Sequence, residues 1–228
     1  MARTWEQRKL GDEFEFLRNN TLSRAELDSS KGAVQDVHYG DILVKFGSVI
    51  DLREEKLPRI ASDETASKLT CDTLHDGDVV MADTAEDTTA GKCCELRKVG
   101  SAKVLAGLHT MPLRPLRAYA PGYLGHYLNS PAFRRQLVPL MQGVKVISLS
   151  RSAMVGTTIV APSLKEQQEI GGLFETFDLL ITLRQRERLP MQKMPKAVSL
   201  RLRHLLKTTL NSPSLVIPLL ATSAYRRS

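Results

Sequence analysis

The sequence predicts an α+β protein, in which a domain of mixed strands and small helices is followed by one long, protruding helix. Three patterns lead to this expectation. Through residues 1–120, short apolar runs are separated by turn residues, which is typical of short strands. From residue 121, apolar residues recur at spacings of three and four, as they do in helices. A helix-capping sequence at Ser163 then opens a longer amphipathic stretch.

Two strands are predicted where the pair Gly-Asp precedes an apolar run. Residues 39–44 read Tyr-Gly-Asp-Ile-Leu-Val, and residues 76–81 read Asp-Gly-Asp-Val-Val-Met. A Gly-Asp pair favours a tight turn, and the β-branched residues that follow it favour a strand. Two further strands are predicted at residues 145–149 and 157–160, where Val, Ile and Thr are again frequent.

Two short helices are predicted between the strand at residues 76–81 and the strand at residues 145–149. Residues 121–129 place tyrosine and leucine side chains at helical spacing. Ser130 and Pro131 then fit the N-cap and the first position of a second helix, whose apolar face begins at Phe133. Gly143 fits the end of this region, because glycine readily adopts the left-handed conformation that terminates helices.

The long helix is predicted to begin at residue 163. Ser163 and Glu166 match a capping box, in which each side chain accepts a backbone N–H of the other residue. Large apolar residues follow at spacings of three and four, namely Ile170, Leu173, Phe174, Phe177 and Leu180. This spacing is typical of a seam through which two helices pair. It also fits an amphipathic helix packed on its own domain, and the periodicity leaves both interpretations open.

The helical pattern ends shortly after residue 188. Pro190 and Pro195 would each break a helix, and the sequence beyond them is rich in Leu, Ser, Thr, Arg and Pro. We therefore divide the chain into three segments, which are a folded domain at residues 1–162, a spacer helix at residues 163–189 and a divergent basic tail at residues 190–228.

Charge is distributed very unevenly along the chain. Residues 1–90 contain 11 basic and 19 acidic side chains, whereas residues 91–151 contain 10 basic side chains and a single acidic one, Glu95. Affinity for DNA comes largely from neutralised phosphates, so a basic block inside a folded region favours a nucleic-acid-binding surface. A solvated basic face without a partner is the alternative, and charge alone does not separate the two.

The sequence lacks the patterns of the common catalytic centres. It has no GxxxxGK[ST] phosphate loop, no GxSxG elbow and no HExxH histidine pair. Asp83, Glu86 and Asp87, with Glu95 further on, match part of a metal-dependent nuclease motif, but its lysine is displaced by one position to Lys98. An exposed loop, or carboxylates that accept from cytosine amino groups, fits the acidic cluster better. We expect no catalytic and no metal-ligating residues.

Cysteine use and hydropathy predict a reduced, cytoplasmic protein that is not associated with membranes. Cys71, Cys93 and Cys94 are odd in number and lack metal-binding spacing, which argues against disulfides and against a zinc site. No apolar run approaches the roughly 18 residues needed to span a bilayer. The N-terminus lacks the apolar segment of a signal peptide.

Several landmarks occur in a characteristic order along the chain. They are Trp-Glu-Gln-Arg-Lys-Leu-Gly-Asp at residues 5–12, Ala-Asp-Thr-Ala-Glu-Asp at residues 82–87, Gly-Val-Lys-Val-Ile-Ser-Leu-Ser at residues 143–150 and Ala-Pro-Ser-Leu-Lys-Glu-Gln-Gln-Glu-Ile at residues 161–170. Together they resemble one half of the specificity (S) subunit of a type I restriction–modification enzyme. The last landmark is the most specific. The resemblance extends over residues 1–188.

The resemblance implies a DNA-reading function without catalysis. In that family, a target-recognition domain reads one part of a split site in double-stranded DNA, and a long helix pairs antiparallel with a matching helix. The subunit docks methyltransferase (M) subunits, and the complex recruits the restriction (R) subunit. S-adenosylmethionine, ATP and Mg²⁺ are expected only on these partner subunits. Since the chain resembles a single half, we expect a half-length subunit that forms a homodimer. A truncated scaffold that binds partner subunits without reading DNA is the alternative.

The resemblance also implies roles for individual residues. The basic residues expected to contact phosphates or bases are Lys92, Arg114, Lys145 and Arg151. Glu86 and Asp87 are candidates for accepting hydrogen bonds from bases. The apolar stripe of the long helix, from Ile170 to Leu180, is expected to form the dimerisation seam.

Overall fold

Short strands and short helices alternate until one long helix follows, as the α+β prediction states. The computed structural model describes residues 5–187. Its strands are β1 (Glu6–Lys9), β2 (Phe14–Phe16), β3 (Leu27–Asp28), β4 (Gln35–Val37), β5 (Val49–Asp51), β6 (Arg59–Ile60), β7 (Val79–Ala82), β8 (Thr84–Ala85), β9 (Cys93–Arg97), β10 (Val104–Ala106), β11 (Thr110–Pro115), β12 (Ile147–Ser148) and β13 (Thr158–Ala161). Its α-helices are α1 (Leu10–Glu13), α2 (Tyr39–Val44), α3 (Asp63–Lys68), α4 (Tyr123–Leu128), α5 (Pro131–Leu137), α6 (Arg151–Met154) and α7 (Leu164–Glu187). Short 3-10 turns lie at Arg24–Glu26 and Val138–Leu140.

A central sheet separates two hydrophobic cores. Its strand order is β2-β11-β7-β9-β5, with β5 parallel to β9 and the other neighbours antiparallel. The middle strand, β7, is buried along its whole length. Because successive side chains point to opposite faces of a strand, Val79 and Met81 enter one core, while Val80 and Ala82 enter the other.

Helices close both cores. On the first face, α4, α5 and α7 contribute Tyr123, Phe133 and Ile170. On the second face, α2 contributes Ile42. A smaller sheet in the order β10-β4-β6-β3 lies beside the second core, and β1 pairs with β13 directly before α7 begins. None of the helices in residues 5–187 is long and apolar enough to cross a membrane.

The cysteines follow the alternation of the central sheet. Cys93 lies in the first core and Cys94 lies in the second, and both are fully buried. Burial raises the pKa of Cys93 to about 12 and also raises that of Cys94. Cys71 is half-buried, and all three cysteines are free in the structure.

One of the two strands predicted after Gly-Asp was wrong. Residues 39–44 form helix α2, because His38 acts as its N-cap and its Nδ1 atom accepts the N–H of Gly40 at 3.1 Å. Asp41 therefore lies in the first helical turn, where its negative charge is favourable. The second prediction is confirmed, since Gly77 adopts a positive φ of 85° and the strand β7 follows at once.

The other short elements agree largely with their predictions. Helix α4 lies within residues 121–129, and the Ser130 hydroxyl caps α5 by accepting the N–H of Phe133 at 3.3 Å. The strand β13 matches the predicted residues 157–160 to within one position. The strand predicted at residues 145–149 is shorter, because only Ile147 and Ser148 pair with β8.

The predicted capping box opens the long helix. Glu166 accepts the N–H of Ser163 at 3.0 Å, and Ser163 accepts the N–H of Glu166 at 3.4 Å, so this prediction is confirmed. Helix α7 then runs over Leu164–Glu187. The predicted tail, residues 190–228, lies outside the described residues.

One side of α7 packs on the domain that precedes it. Ile170 is only 4% exposed, and Phe174 stacks on His126 of α4 with ring centroids 5.0 Å apart. Burial lowers the pKa of His126 to about 4, so the imidazole is neutral in this contact. Arg97 of β9 pairs with Glu175 of α7. Ile170 and Phe174 of the predicted seam are thus packed inside the monomer. This part of α7 fits the interpretation of an amphipathic helix packed on its own domain.

A buried aspartate in the smaller sheet gives stability a specific pH dependence. Asp36 is fully buried, and its Oδ2 atom accepts from Asn20 at 2.7 Å, whereas its buried Oδ1 atom has no hydrogen-bond partner. Burial raises the pKa of this carboxyl to about 6. The folded state is therefore favoured by protonation of Asp36, and this stabilisation is lost as the pH rises from about 4 through about 6.

Asp36→Asn should remove that pH dependence. The free energy of unfolding of the variant, minus that of the unmodified chain, should rise by about 2 kcal/mol between pH 4.5 and pH 7.5, because only the unmodified chain must bury a charge at the higher pH. Urea denaturation at a series of pH values measures this difference. Asp12→Asn, at an exposed carboxyl, is the control, and a pH-independent difference for Asp36→Asn would contradict the prediction.

Candidate nucleic-acid interface

Strand register defines the two ends of the central sheet. In the antiparallel pairs of β7, Ala82 lies opposite Thr110 of β11 and Val79 lies opposite Glu95 of β9. The edge of the sheet at Ala82 and Thr110 is called the Ala82 end, and the edge at Val79 and Glu95 is called the Val79 end. Helix α7 joins the domain at the Val79 end, through the pair between Glu175 and Arg97. The Ala82 end faces away from that junction, and its loops are the candidate interface.

A small two-stranded sheet places two distant segments side by side at the Ala82 end. The strand β8 follows directly on Asp83 and pairs antiparallel with β12, so that Ala85 lies opposite Ile147. The N–H of Leu149 donates to the carbonyl of Asp83 at 2.8 Å. The exposed acidic residues of the 86–87 loop and the exposed Lys145 are thereby brought to the same end of the domain.

Two further basic residues of the predicted set lie at this end. Lys92 follows the loop after β8, and its Nζ atom donates to the carbonyl of Leu43, at the end of α2, at 2.9 Å. Arg151 begins α6, and its Nη2 atom donates to the carbonyl of Leu17 at 2.8 Å and contacts Asn19 at 3.4 Å. The backbone of the domain thus orients the side chain of each residue.

Arg114 differs from the other three basic candidates. It lies toward the Val79 end of β11, where its guanidinium donates to both carboxylate oxygens of Asp78, at 3.0 and 2.7 Å. It also donates to the carbonyl of Thr73 at 2.8 Å. The hydrogen bonds with Asp78 raise the pKa of Arg114. This bidentate ion pair is structural, and the role of Arg114 in DNA contact stays a prediction.

The Ala82 end also presents a polar group that sequence reasoning missed. His109 occupies the turn between β10 and β11 with a positive φ of 54°, and 47% of its side chain is exposed. Its Nδ1 atom lies 3.4 Å from the Thr84 hydroxyl and 3.8 Å from Asp83. Tyr39 packs edge-on against the imidazole ring at 5.3 Å. This arrangement offers donors and acceptors of the kind that read base edges, and no local sequence pattern reveals it.

The carboxylates of the partial nuclease motif do not assemble into one site. Glu95 is buried at the Val79 end, where its two oxygens accept the N–H groups of Gly122 at 2.6 Å and Gly125 at 2.9 Å. Asp83 lies beyond the opposite end of β7, and Asp87 accepts from its own loop, at Thr89. Within residues 5–187, no group of three or more potential ligand residues is placed to hold a metal ion.

A groove of about 750 Å³ lies at the junction with α7, away from the basic loops. Trp5, Tyr119 and Gln167 are among its lining residues. Its charged groups are largely matched within the chain, because Arg8 donates to Glu6 at 2.6 Å and also to the buried Glu13 at 3.2 Å. The groove therefore belongs to the structural connection between the domain and α7.

The structure therefore consists of a domain that carries basic loops at its Ala82 end and a long helix, α7, joined at its Val79 end. No family model and no curated protein matches the sequence. Solved structures do share the fold, and they are specificity subunits of type I restriction–modification systems. The chain is similar to the S subunit from M. genitalium, with a TM-score of 0.51, 12% identity and coverage of 82% of this chain and 43% of that one.

Two further structures support the same similarity of fold. The HsdS subunit from Thermoanaerobacter tengcongensis has a TM-score of 0.54 and 12% identity over 93% of this chain and 46% of that one. A structure describing complex assembly and conformational transition of the type I R-M system has a TM-score of 0.51 and 14% identity over 94% and 44%. The chain thus has an S-subunit-like fold and spans under half the length of each of these proteins.

Proposed function

We propose that this chain is a DNA-recognition subunit of a type I restriction–modification system and reads a half-site through the Ala82 end. The observation that carries the proposal is the gathering of Lys92, Lys145 and Arg151 at that one end by strand pairing, in a fold shared with S subunits. Cations held at one end of a rigid domain provide the phosphate contacts that position a protein on a duplex.

The charge at this end suits a polyanionic partner such as DNA. No aspartate or glutamate occurs between Glu95 and Glu166, a stretch that supplies Lys145 and Arg151. The acidic residues at the Ala82 end include Asp83, and also Glu86 and Asp87 in a short exposed loop. Carboxylates placed among cations can accept from cytosine amino groups while the cations hold the phosphates.

Helix α7 is proposed to carry the assembly function. Ile181 is 39% exposed, and the predicted seam residues Leu173, Phe177 and Leu180, which lie on the same side of the helix, are partly exposed. An exposed apolar strip on a protruding helix is suited to pairing with a second helix. Antiparallel pairing of two copies would yield a twofold homodimer with two DNA-reading domains, which would dock M subunits and, through them, the R subunit. In this proposal methylation and cleavage, with their S-adenosylmethionine, ATP and Mg²⁺, belong to those partners.

The exposed strip on α7 also suits a second candidate function, a scaffold that binds partner subunits without reading DNA. The two functions differ in one measurable property. A DNA reader must bind a duplex with an affinity that falls as salt rises, whereas a pure scaffold need not.

DNA binding should depend on Lys145 and Arg151. Lys145→Ala and Arg151→Ala are each expected to weaken binding to a random-sequence duplex and to reduce the slope of log K against log salt by about one unit, because each removes one phosphate contact. Fluorescence anisotropy between about 50 and 200 mM salt measures both quantities. Lys31→Ala, an exposed lysine in the acidic first segment, is the matched control. Equal effects from all three variants would contradict the proposed site, and no salt-dependent binding by the unmodified chain would favour the scaffold.

A further inference from the structure

The loop between α5 and β12 closes into a tight hairpin at the Ala82 end. The N–H of Gln142 donates to the carbonyl of Ser148 at 3.0 Å, and the N–H of Ser148 donates back at 2.8 Å. Gly143 has a positive φ of 108°, and a Cβ at that position would lie 1.9 Å from the carbonyl oxygen of Val146. Only glycine therefore permits this turn, and pairing of β12 with β8 fixes the base of the hairpin.

The tip of this hairpin exposes apolar side chains on both sides of a cation. Val144 is 96% exposed and Val146 is 55% exposed, and Lys145 lies between them. Single exposed apolar residues are ordinary on protein surfaces. Two valines on a tip that the backbone closes tightly, at the end that carries the other basic residues, suit a partner with both apolar and negatively charged features.

We infer, on the basis of the proposed function, that residues 142–148 enter the major groove of DNA and that Val144 makes an apolar contact with a base. The major groove, which is about 12 Å wide, admits a two-stranded ribbon more readily than the minor groove of about 6 Å. The major groove exposes the thymine methyl group, which is an apolar partner for a valine. Lys145, between the two valines, is placed for a phosphate or for the acceptor edge of guanine.

Charge supports DNA as the occupant of this tip. Four basic residues, Arg134, Arg135, Lys145 and Arg151, lie on the segment of residues 131–151, and that segment contains no acidic residue. Arg134 donates to the carbonyl of Ala90 at 3.3 Å and Arg151 to that of Leu17 at 2.8 Å, whereas Lys145 lies on the exposed tip itself. A partner subunit that covers the tip is the competing occupant, and the experiment below separates it from DNA.

The test uses the full chain and selection from a random-sequence duplex library, with Val144→Ser compared against the unmodified chain. The unmodified chain is expected to enrich a motif, and Val144→Ser should bind that motif about tenfold more weakly while binding unselected duplex within twofold. Leu116→Ser, which also removes an exposed apolar side chain but at the Val79 end, is the matched control and should behave as the unmodified chain. Since Val144 is almost fully exposed, the substitution should leave the thermal melt unchanged.

A photo-crosslinking arm gives a readout that does not depend on affinity. Benzoylphenylalanine at position 144 should crosslink to the duplex, and the same group at position 116 should not. The contrary outcome is that the unmodified chain binds and selects DNA, while Val144→Ser binds and selects identically and position 144 forms no crosslink. That result would overturn the hairpin inference and leave the proposed function standing. If the unmodified chain shows no salt-dependent DNA binding at all, the proposed function fails and the inference fails with it.

Discussion

Glu95→Ala is expected to lower the free energy of unfolding by about 3 kcal/mol. The Glu95 carboxylate is only 2% exposed and accepts the N–H groups of Gly122 and Gly125, and these hydrogen bonds tie the start of α4 to strand β9 of the central sheet. Alanine would leave two buried backbone donors without acceptors, and each such group costs about 1–3 kcal/mol. Burial raises the pKa of Glu95, which shows that its carboxylate carries a desolvation penalty. Alanine removes this penalty, and its removal offsets part of the loss.

Equilibrium urea denaturation, followed by circular dichroism, measures the change for Glu95→Ala. Glu86→Ala is the matched control, because Glu86 is exposed at the opposite end of the sheet and its removal should change stability by less than about 0.5 kcal/mol. A Glu95→Ala variant as stable as the unmodified chain would show that water or a rearranged α4 satisfies the two donors.

Phe177→Asp is expected to convert a homodimer to a monomer. Phe177 lies on α7 beside Phe174, with ring centroids 6.4 Å apart, and the exposed Ile181 lies one helical turn further on, on the same face. A carboxylate at the centre of a paired apolar strip would lose its hydration without gaining a partner, which weakens association by several kcal/mol and therefore by more than about 100-fold. Light scattering at micromolar concentration measures the mass, and a thermal melt checks that the domain stays folded.

The control for the assembly prediction is Leu116→Asp. Leu116 is 60% exposed and lies outside α7, so a charge there should leave the dimer intact. Monomeric behaviour of the unmodified chain at micromolar concentration would remove the basis for the prediction. DNA binding by a monomeric Phe177→Asp variant would still be expected, at the lower affinity of a single half-site reader.

Local sequence signals succeeded wherever the chemistry is contained within a few residues. The capping box at Ser163 and Glu166 and the serine cap before α5 were predicted correctly, because each depends on atoms three residues apart. The Gly-Asp rule failed at residues 39–44, because the same two residues fit either a turn or the first turn of a helix. In the structure the segment is helical, with the imidazole of His38 as the N-cap of α2 and Ile42 packed in the second core.

The sequence alone also determined the α+β content and the uneven charge, since composition and periodicity carry this information directly. It could not determine which charged residues share a surface. Arg114 and Lys145 belong to the same basic block in the sequence, but a contact across 36 residues binds Arg114 to Asp78. Pairing of β8 with β12, across more than 60 residues, brings Lys145 to the exposed Ala82 end. Such partners are chosen by strand register and burial, which arise only when distant segments of the chain pack together.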